Sequence, residues 1–346
     1  MDILQVKDNY LHDAAGNQLV LRGVNLPLLD DWDFPASNNV SEIERTGANA
    51  VRIQWYISYP SPPPPGPQRP AYTLSDLDAV LDACRINRLI PILMLADFSC
   101  ADDITLVNTK LVPWWTQAAI VAVLNRHRRY IIVNLGNEVG QYRWAGSTAA
   151  ALNAFRDAYT AAIDGLRGAG LQMPILVDAP DCGTTLGAFT GTSLGQDLIQ
   201  HDPLKNILLS VHAYWAGYDG MAELTTNPVT AKLPIVFGEI ANKQAETIET
   251  TDGAGRRVLR TEECYYDIDG KTENHPAPTG FSYQALLAEL SRQDIGWLAW
   301  SWWKDACANR QMTSTGKYTD LTTYGDDLVN NDVYGLRHAV RTPTLP

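Results

Sequence analysis

The sequence predicts an α/β fold: a single (β/α)8 barrel domain over residues 1–346, with an N-terminal β-hairpin and a long insertion after the seventh barrel strand. Three observations carry this. Eight short runs, rich in Val, Ile and Leu and apolar almost throughout, recur along the chain, as strands buried on both faces must. Segments with helical periodicity lie between them, and repeated β-α alternation is the barrel pattern. The chain has 346 residues, 45% hydrophobic and 19% charged, enough length and apolar material for one large core. A doubly wound sheet is the alternative architecture, but no Gly-rich phosphate loop follows the first strand.

The elements follow in order. Ile3–Val6 and Tyr10–His12, with the turn Asp13–Asn17, open the chain as a hairpin. The eight barrel runs are Leu19–Gly23, Ala48–Ile53, Ile90–Ala96, Ile131–Leu135, Pro174–Val177, Ile207–His212, Leu233–Phe237 and Gly296–Ser301. Helical segments span Leu74–Arg85, Trp114–Arg126, Ala149–Arg167 and Tyr283–Gln293. The first opens at Thr73 with Asp76 and Asp78 in its first turn, and Gly168-Ala169-Gly170 ends the third. Pro60–Pro70 has linker composition, but flanking barrel strands make it a stiff loop at the second βα turn. Ala241–Ser282 is too long to be an idle connection, and a small hairpin with its turn at Asp269-Gly270 is expected there. The spacing of Asp267 and Asp269 does not match a calcium loop.

Charge excludes several functions. With 27 Lys and Arg against 39 Asp and Glu, the formal charge is −12, which repels nucleic acid and anionic lipid. No run of eighteen apolar residues is present to span a bilayer. MDILQVKDNY has neither a basic n-region nor an apolar stretch, so no signal peptide is expected in this chain. Cys84 falls on the apolar face of a helix and is expected to be a buried free thiol. Cys100, Cys182, Cys264 and Cys307 fall in loops on one barrel face; Cys264 with Cys307, and Cys100 with Cys182, could bridge, which points to a secreted or extracytoplasmic protein.

In such a barrel, chemistry sits where strands end. The second strand carries Arg52. The fourth ends with Asn137 and Glu138, the sixth with His212 and Tyr214, the seventh with Glu239, and the eighth with Trp300 and Trp302. A carboxylate directly after an apolar strand is costly to desolvate unless it has a task or an ion-pair partner. Strands four and seven can aim Glu138 and Glu239 into one barrel mouth, and two facing carboxyl groups are the apparatus of glycoside hydrolysis.

The segments NLGNEVG, SVHAYW, LPIVFGE and GWLAWSWWKD, with LRGVNL at 21–26 and RQMTSTGKYTDLTTYGDDLVNN at 310–331, resemble glycoside hydrolase family 5 in order along nearly the whole chain. That family comprises retaining β-glycanases, including cellulases and β-mannanases, and the motifs are most similar to bacterial endo-β-1,4-mannanases. The resemblance implies Glu138 as acid/base and Glu239 as nucleophile. It implies Asn137 on the sugar 2-hydroxyl, Tyr214 and Arg52 holding Glu239, His212 lining the site, and Trp300 as a stacking floor. Strand alternation would place Trp302 beside Trp300. It implies double displacement on a β-linked polysaccharide or oligosaccharide, most closely endo-β-1,4-mannanase, with no cofactor and no metal. A cellulase or other β-glycanase, or a sugar-binding protein without catalysis, is the alternative. The chain departs from the family at Ala96, where the third strand commonly carries His, and in the 241–282 insertion.

Ten Trp and fifteen Tyr suit sugar stacking. Trp32, Trp55, Tyr56, Trp114, Trp115, Tyr142, Trp144, Trp215 and Tyr218 all lie at or after strand ends, and three or four of them are expected to stack on sugars. Gly191–Gly195 matches the G-x-S-x-G elbow, but a Gly/Thr-rich loop precedes it where that motif needs a strand. No two of the six His have metal-ligand spacing, and His127 in the basic run 126–129 reads as part of a solvated helix end. A monomer without nucleic-acid or membrane partners is expected.

Overall fold

Eight parallel strands close into a barrel: β4 (Arg22–Leu26), β5 (Ala50–Trp55), β6 (Ile90–Leu95), β7 (Ile132–Asn134), β8 (Ile175–Asp178), β9 (Ile207–Ala213), β10 (Ile235–Ile240) and β13 (Gly296–Ala299). The structure is a computed structural model and describes residues 2–27, 37–57, 73–214, 221–251, 257–267, 282–305 and 307–340. The helices are α1 (Ser37–Glu44), α2 (Leu74–Ile86), α3 (Val112–Trp115), α4 (Ala118–Arg126), α5 (Ala149–Gly168), α6 (Gly187–Thr190), α7 (Leu194–His201), α8 (Met221–Ala231), α9 (Tyr283–Arg292) and α10 (Thr323–Asn330). No described helix is long and apolar enough to cross a membrane.

The opening is larger than a hairpin. β1 (Gln5–Lys7), β2 (Tyr10–His12) and β3 (Gln18–Leu19) form a three-stranded antiparallel sheet. Its extra turn is Asp8-Asn9, both residues with positive φ, the backbone that suits a two-residue hairpin turn. The expected turn at 13–17 joins β2 to β3, and the Asp13 carboxylate accepts the N–H groups of Ala15 and Asn17 at 2.9 and 2.8 Å. The expected first barrel strand, Leu19–Gly23, is therefore divided between β3 and β4. Leu19 and Leu21 join Leu4 and Leu11 in sealing the barrel floor, so that apolar run serves two elements.

Inside the barrel, Ala50, Ile90, Ile92, Ile132, Leu176, Leu208, Val236 and Leu298 pack on this floor. The outward-facing residues Val51, Ile53, Leu93, Leu95, Val133, Val177, Leu209 and Phe237 pack in the layer under the helices. The alternation of the two sets is the two-residue period of a strand. The helices start as the sequence indicates: Thr73 and Asp76 form a reciprocal capping box on α2, and Thr148 and Ser282 cap α5 and α9.

Other boundaries move. The segment expected as one helix over Trp114–Arg126 breaks at Thr116-Gln117 into α3 and α4. The break lets Trp115 sink into the core, where its indole N–H donates to the Leu135 carbonyl at 2.7 Å. The eighth strand stops at Ala299, because Ser301 N–H turns to the Arg310 carbonyl at 2.9 Å. The insertion holds an antiparallel hairpin of β11 (Lys243–Thr251) and β12 (Arg257–Asp267), paired Thr251 with Arg257, so its turn comes before Asp269-Gly270. Asp269-Gly270 and Pro60–Pro70 lie outside the described residues.

Cys100, after β6, and Cys182, after β8, are disulfide-bonded with Cα atoms 4.5 Å apart, which is one of the two pairings the loops allow. Cys307 is disulfide-bonded, and Cys264, expected in a loop, lies on strand β12. Cys84 is a buried free thiol, and burial pushes its pKa well up. A maleimide reagent should therefore leave Cys84 unlabelled in the native protein and label it on denaturation. Cys100 and Cys182 should stay blocked until reductant is added. Peptide mapping reads all three, and labelling of Cys100 in unreduced, denatured protein would contradict the bridge.

Candidate active site

Toward the C-terminal ends of the strands, inward side chains change from apolar to polar. Arg52, Asn134, Asp178 and Ser210 follow Ala50, Ile132, Leu176 and Leu208 by two residues, and all are buried. Gln54, His212, Glu239 and Trp300 lie nearer the mouth. The polar layer is organised by Arg52, which has no exposed surface. Its Nε donates to Asn134 Oδ1 at 2.8 Å. Nη1 donates to Asn25 at 3.0 Å and to Glu239 Oε1 at 2.6 Å. Nη2 donates to Asn137 Oδ1 at 2.7 Å and to Asp178 Oδ2 at 3.1 Å.

Glu239 reaches the mouth because β10 is irregular. Val236 faces the barrel core and Phe237 faces the helices, so simple alternation would send residue 239 outward. The register of β10 shifts between Phe237 and Glu239 against β9, and between Phe237 and Ile240 against β13. A bulge there re-aims the side chain. Gly238 permits it: a Cβ would stand 2.4 Å from Ser210 Oγ and 2.9 Å from the His212 ring. Glu239 Oε2 accepts from the Tyr214 hydroxyl. Glu138, four residues beyond β7, takes a left-handed backbone with φ 59°, uncommon away from glycine and found at sites that aim a side chain. Its Oε1 meets His212 Nδ1 at 2.5 Å, and its Oε2 meets Asn137 Nδ2 at 3.2 Å. Oxygens of Glu138 and Glu239 lie within 4.8 Å of each other.

Charge decides protonation. Burial alone would raise the pKa of Asp178, but the His212 and Arg52 charges hold it at about 2. Burial would lower that of His212, yet the carboxylates of Glu239, Asp178 and Glu138 lift it to about 10, so the imidazole is cationic. Burial raises the pKa of Glu138, with Glu239 and Asp178 adding to the rise and His212 opposing it. Burial thus favours the protonated form of Glu138, and the His212 cation opposes it. Burial also drives the Tyr214 phenol well above its usual range, leaving it a donor.

The cleft above these groups has a volume of about 470 Å³ and is lined by Gln54, Asn137, Glu138, Tyr214, Glu239 and Trp300 among others. Trp300 is anchored by its indole N–H to Asp305 Oδ2 at 2.6 Å. Asp305 also takes Arg310 Nε at 2.7 Å, and the Arg310 guanidinium lies 5.6 Å from the centre of the Tyr214 ring. Trp144, 48% exposed, stands at the rim and also lines the cleft.

Of the sequence-predicted residues, Arg52, Asn137, Glu138, His212, Tyr214, Glu239 and Trp300 converge. Trp302 does not. It is fully buried and donates to the Gly316 carbonyl at 3.1 Å, because the chain has left the strand and alternation no longer holds. Trp55, Trp114 and Trp115 are core residues, which removes them as stacking surfaces. Trp32, Trp215 and Tyr218 lie outside the described residues. His127 is buried between the Tyr130 hydroxyl and Asp78, at 2.7 Å from the latter, and is not solvated. Ser193 is preceded by helix α6 instead of a strand, and its hydroxyl donates to Asp197 at 2.7 Å. Glu138, His212 and Glu239 offer ligand atoms close enough for a metal. A cationic imidazole whose Nδ1–H already faces Glu138 has no lone pair free at that nitrogen.

Sequence reasoning missed Asp178, Asn25, Asn134, Gln54, Asp305 and Arg310. Asp178 carried the same signal as the two glutamates, a carboxylate ending an apolar strand. The others are uncharged, or lie in irregular loops that no periodicity places.

Asp178 gives a stability test. Its folded pKa of about 2 lies below the ordinary value of 3.8. The stabilisation is therefore present above pH 4 and is lost as pH falls toward 2. It amounts to about 2 kcal/mol. Denaturant unfolding of wild type and Asp178→Asn between pH 6 and pH 2 should show the wild-type advantage shrinking as pH falls. A constant difference would contradict the assignment.

Known proteins match this chain along its length. A mannan endo-1,4-beta-mannosidase of Cellvibrio japonicus is 26% identical over 98% of this chain and 68% of its own. One from Salipaludibacillus agaradhaerens is 27% identical over 86% and 80%. The crystal structure of a beta-mannanase from Streptomyces thermolilacinus superposes with a TM-score of 0.73 at 25% identity, covering 99% of this chain and all of that one. The family model for cellulase, glycosyl hydrolase family 5, matches residues 12–306, a span that holds all eight barrel strands and both strand-end glutamates. The chain belongs to that family.

Proposed function

We propose that the protein is a retaining endo-β-1,4-mannanase, with Glu239 as nucleophile and Glu138 as acid/base. The observation that carries this is the pair of buried glutamates, one beyond β7 and one on β10, with oxygens within 4.8 Å. Carboxyl groups roughly 5–5.5 Å apart suit double displacement, whereas inversion needs room for a water between them. Mannan as substrate is favoured by the relatives named above. The Cys100–Cys182 disulfide favours an oxidising, extracytoplasmic setting.

Glu239 attacks the anomeric carbon while Glu138 delivers its proton to the departing glycosidic oxygen. Arg52 and the Tyr214 hydroxyl hold Glu239 aimed. Asn137, whose Oδ1 accepts from Arg52, would turn one amide N–H from Ser99 or Glu138 to the sugar 2-hydroxyl. Trp300 supplies a flat apolar floor held in place by Asp305. Glu138, now deprotonated, then takes a proton from the water that cleaves the glycosyl-enzyme.

Glu239→Gln should abolish turnover on mannan, glucomannan, xylan and carboxymethyl cellulose alike. Glu138→Ala should lose activity on polysaccharide, retain it on aryl glycosides with good leaving groups, and be rescued by azide. Near-wild-type rates for Glu239→Gln, measured as reducing sugar released, would overturn the mechanism. A rate on carboxymethyl cellulose well above that on mannan would overturn the substrate.

Trp300→Ala should lower kcat/KM more than about tenfold, roughly 1.4 kcal/mol or more of transition-state stabilisation, with melting unchanged. A variant that is stable and fully active would remove Trp300 from the subsite. Loss of melting temperature and activity together would make it packing.

A further inference from the structure

The Cys100–Cys182 disulfide runs along one wall of the cleft and bears directly on Glu138. It joins the loops after β6 and β8, on either side of the loop that carries Glu138. Cys100 Sγ stands 3.1 Å from Glu138 Oε2, and Cys182 Sγ lies within 4.8 Å of the same carboxyl group. Cys100, Glu138 and Cys182 have φ of 59°, 59° and 52°. Three loops on consecutive strands thus turn through a backbone region that non-glycine residues seldom adopt, and the disulfide ties the outer two across the middle one.

The chemistry of the contact is specific. A disulfide sulfur has no hydrogen to donate. Where water or a hydroxyl would donate to Oε2 and favour the carboxylate, sulfur occupies the space and gives no such bond. The other groups facing Glu138 are His212 from β9, Glu239 from β10, Asp178 from β8, Arg52 from β5 behind them, and the neighbouring Asn137 amide. Of these walls, only the disulfide can be removed without changing charge or a hydrogen bond.

We propose that the Cys100–Cys182 disulfide is a positioning element for the acid/base, keeping Glu138 Oε2 dry and aimed so that it protonates the leaving group efficiently. This rests on Glu138 being the acid/base.

The test compares wild type with Cys100→Ala/Cys182→Ala on mannan and on a dinitrophenyl β-mannobioside, which needs no protonation to depart. On mannan, kcat/KM should fall about tenfold, part of what a positioned acid contributes, and its alkaline limb should move to lower pH by about half a unit. On the activated substrate, kcat/KM should fall less than about threefold. Equal losses on both substrates, or an unmoved alkaline limb, would make the disulfide a structural staple and overturn the proposal. If the double variant does not fold, the same two rates on native wild type reduced with dithiothreitol carry the test, read as their ratio. Wild type inactive on both substrates would instead overturn the underlying mannanase reading.

Discussion

Arg52 is a guanidinium buried without any exposed surface, and the geometry of the cleft depends on it. Desolvating a cation is costly unless nearly all its donors are met. Here they are met by Asn25 on β4, Asn134 on β7, Asn137 beyond β7, Asp178 on β8 and Glu239 on β10. One side chain therefore fixes the relative heights of strands around most of the barrel. A lysine could not do this, since a single ammonium lacks the planar fork that addresses five partners. The polar layer is held as a unit, and the apolar floor beneath it, plugged by the opening sheet, keeps water from entering below.

The same layer sets the charge. Arg52 and His212 stand among the carboxyl groups of Asp178, Glu239 and Glu138, and burial favours the protonated form of Glu138. In the proposed reaction, Glu138 gives up its proton as Glu239 becomes an ester. The negative charge would pass from Glu239 to Glu138 within the same pocket. Arg52 and His212 need not move or titrate, because His212 lies near both carboxyl groups, 2.5 Å from Glu138 and 3.7 Å from Glu239. A site already polarised for both protonation states has little reorganisation to do between steps.

How much of this the sequence disclosed depends on periodicity. The barrel was legible because eight apolar runs alternate with helical segments, and the glutamates because charge directly after such runs is conspicuous. Asp178 met the same criterion and was passed over. Glu239 was located by strand end, but its inward aim comes from a bulge at Gly238 that alternation alone contradicts. Trp302 failed for the converse reason: alternation was extended past Ala299, where the ladder stops. Trp114 and Trp115 show that an aromatic near a strand end is as readily a plug under a loop as a platform above it. Residues set by loops, Asp305 and Arg310 among them, follow no period and became visible only in three dimensions.

Those two loop residues change how the cleft floor is understood. Trp300 is bonded to Asp305, Asp305 to Arg310, and Arg310 covers the Tyr214 ring, whose hydroxyl holds Glu239. Trp300 and Glu239 stand at the two ends of one side-chain network. Neighbours that share partners do not contribute additively. Removing the Trp300 indole takes one donor from Asp305, which still accepts from Arg310 and Cys307, so an effect at the floor reaches Glu239 only through a shift of the Asp305–Arg310 pair. Varying Trp300 together with Asp305 separates the stacking proposed for Trp300 from its effect on Glu239. The loss from the pair, compared with the sum of the single losses, measures how much of the Trp300 contribution passes through Glu239.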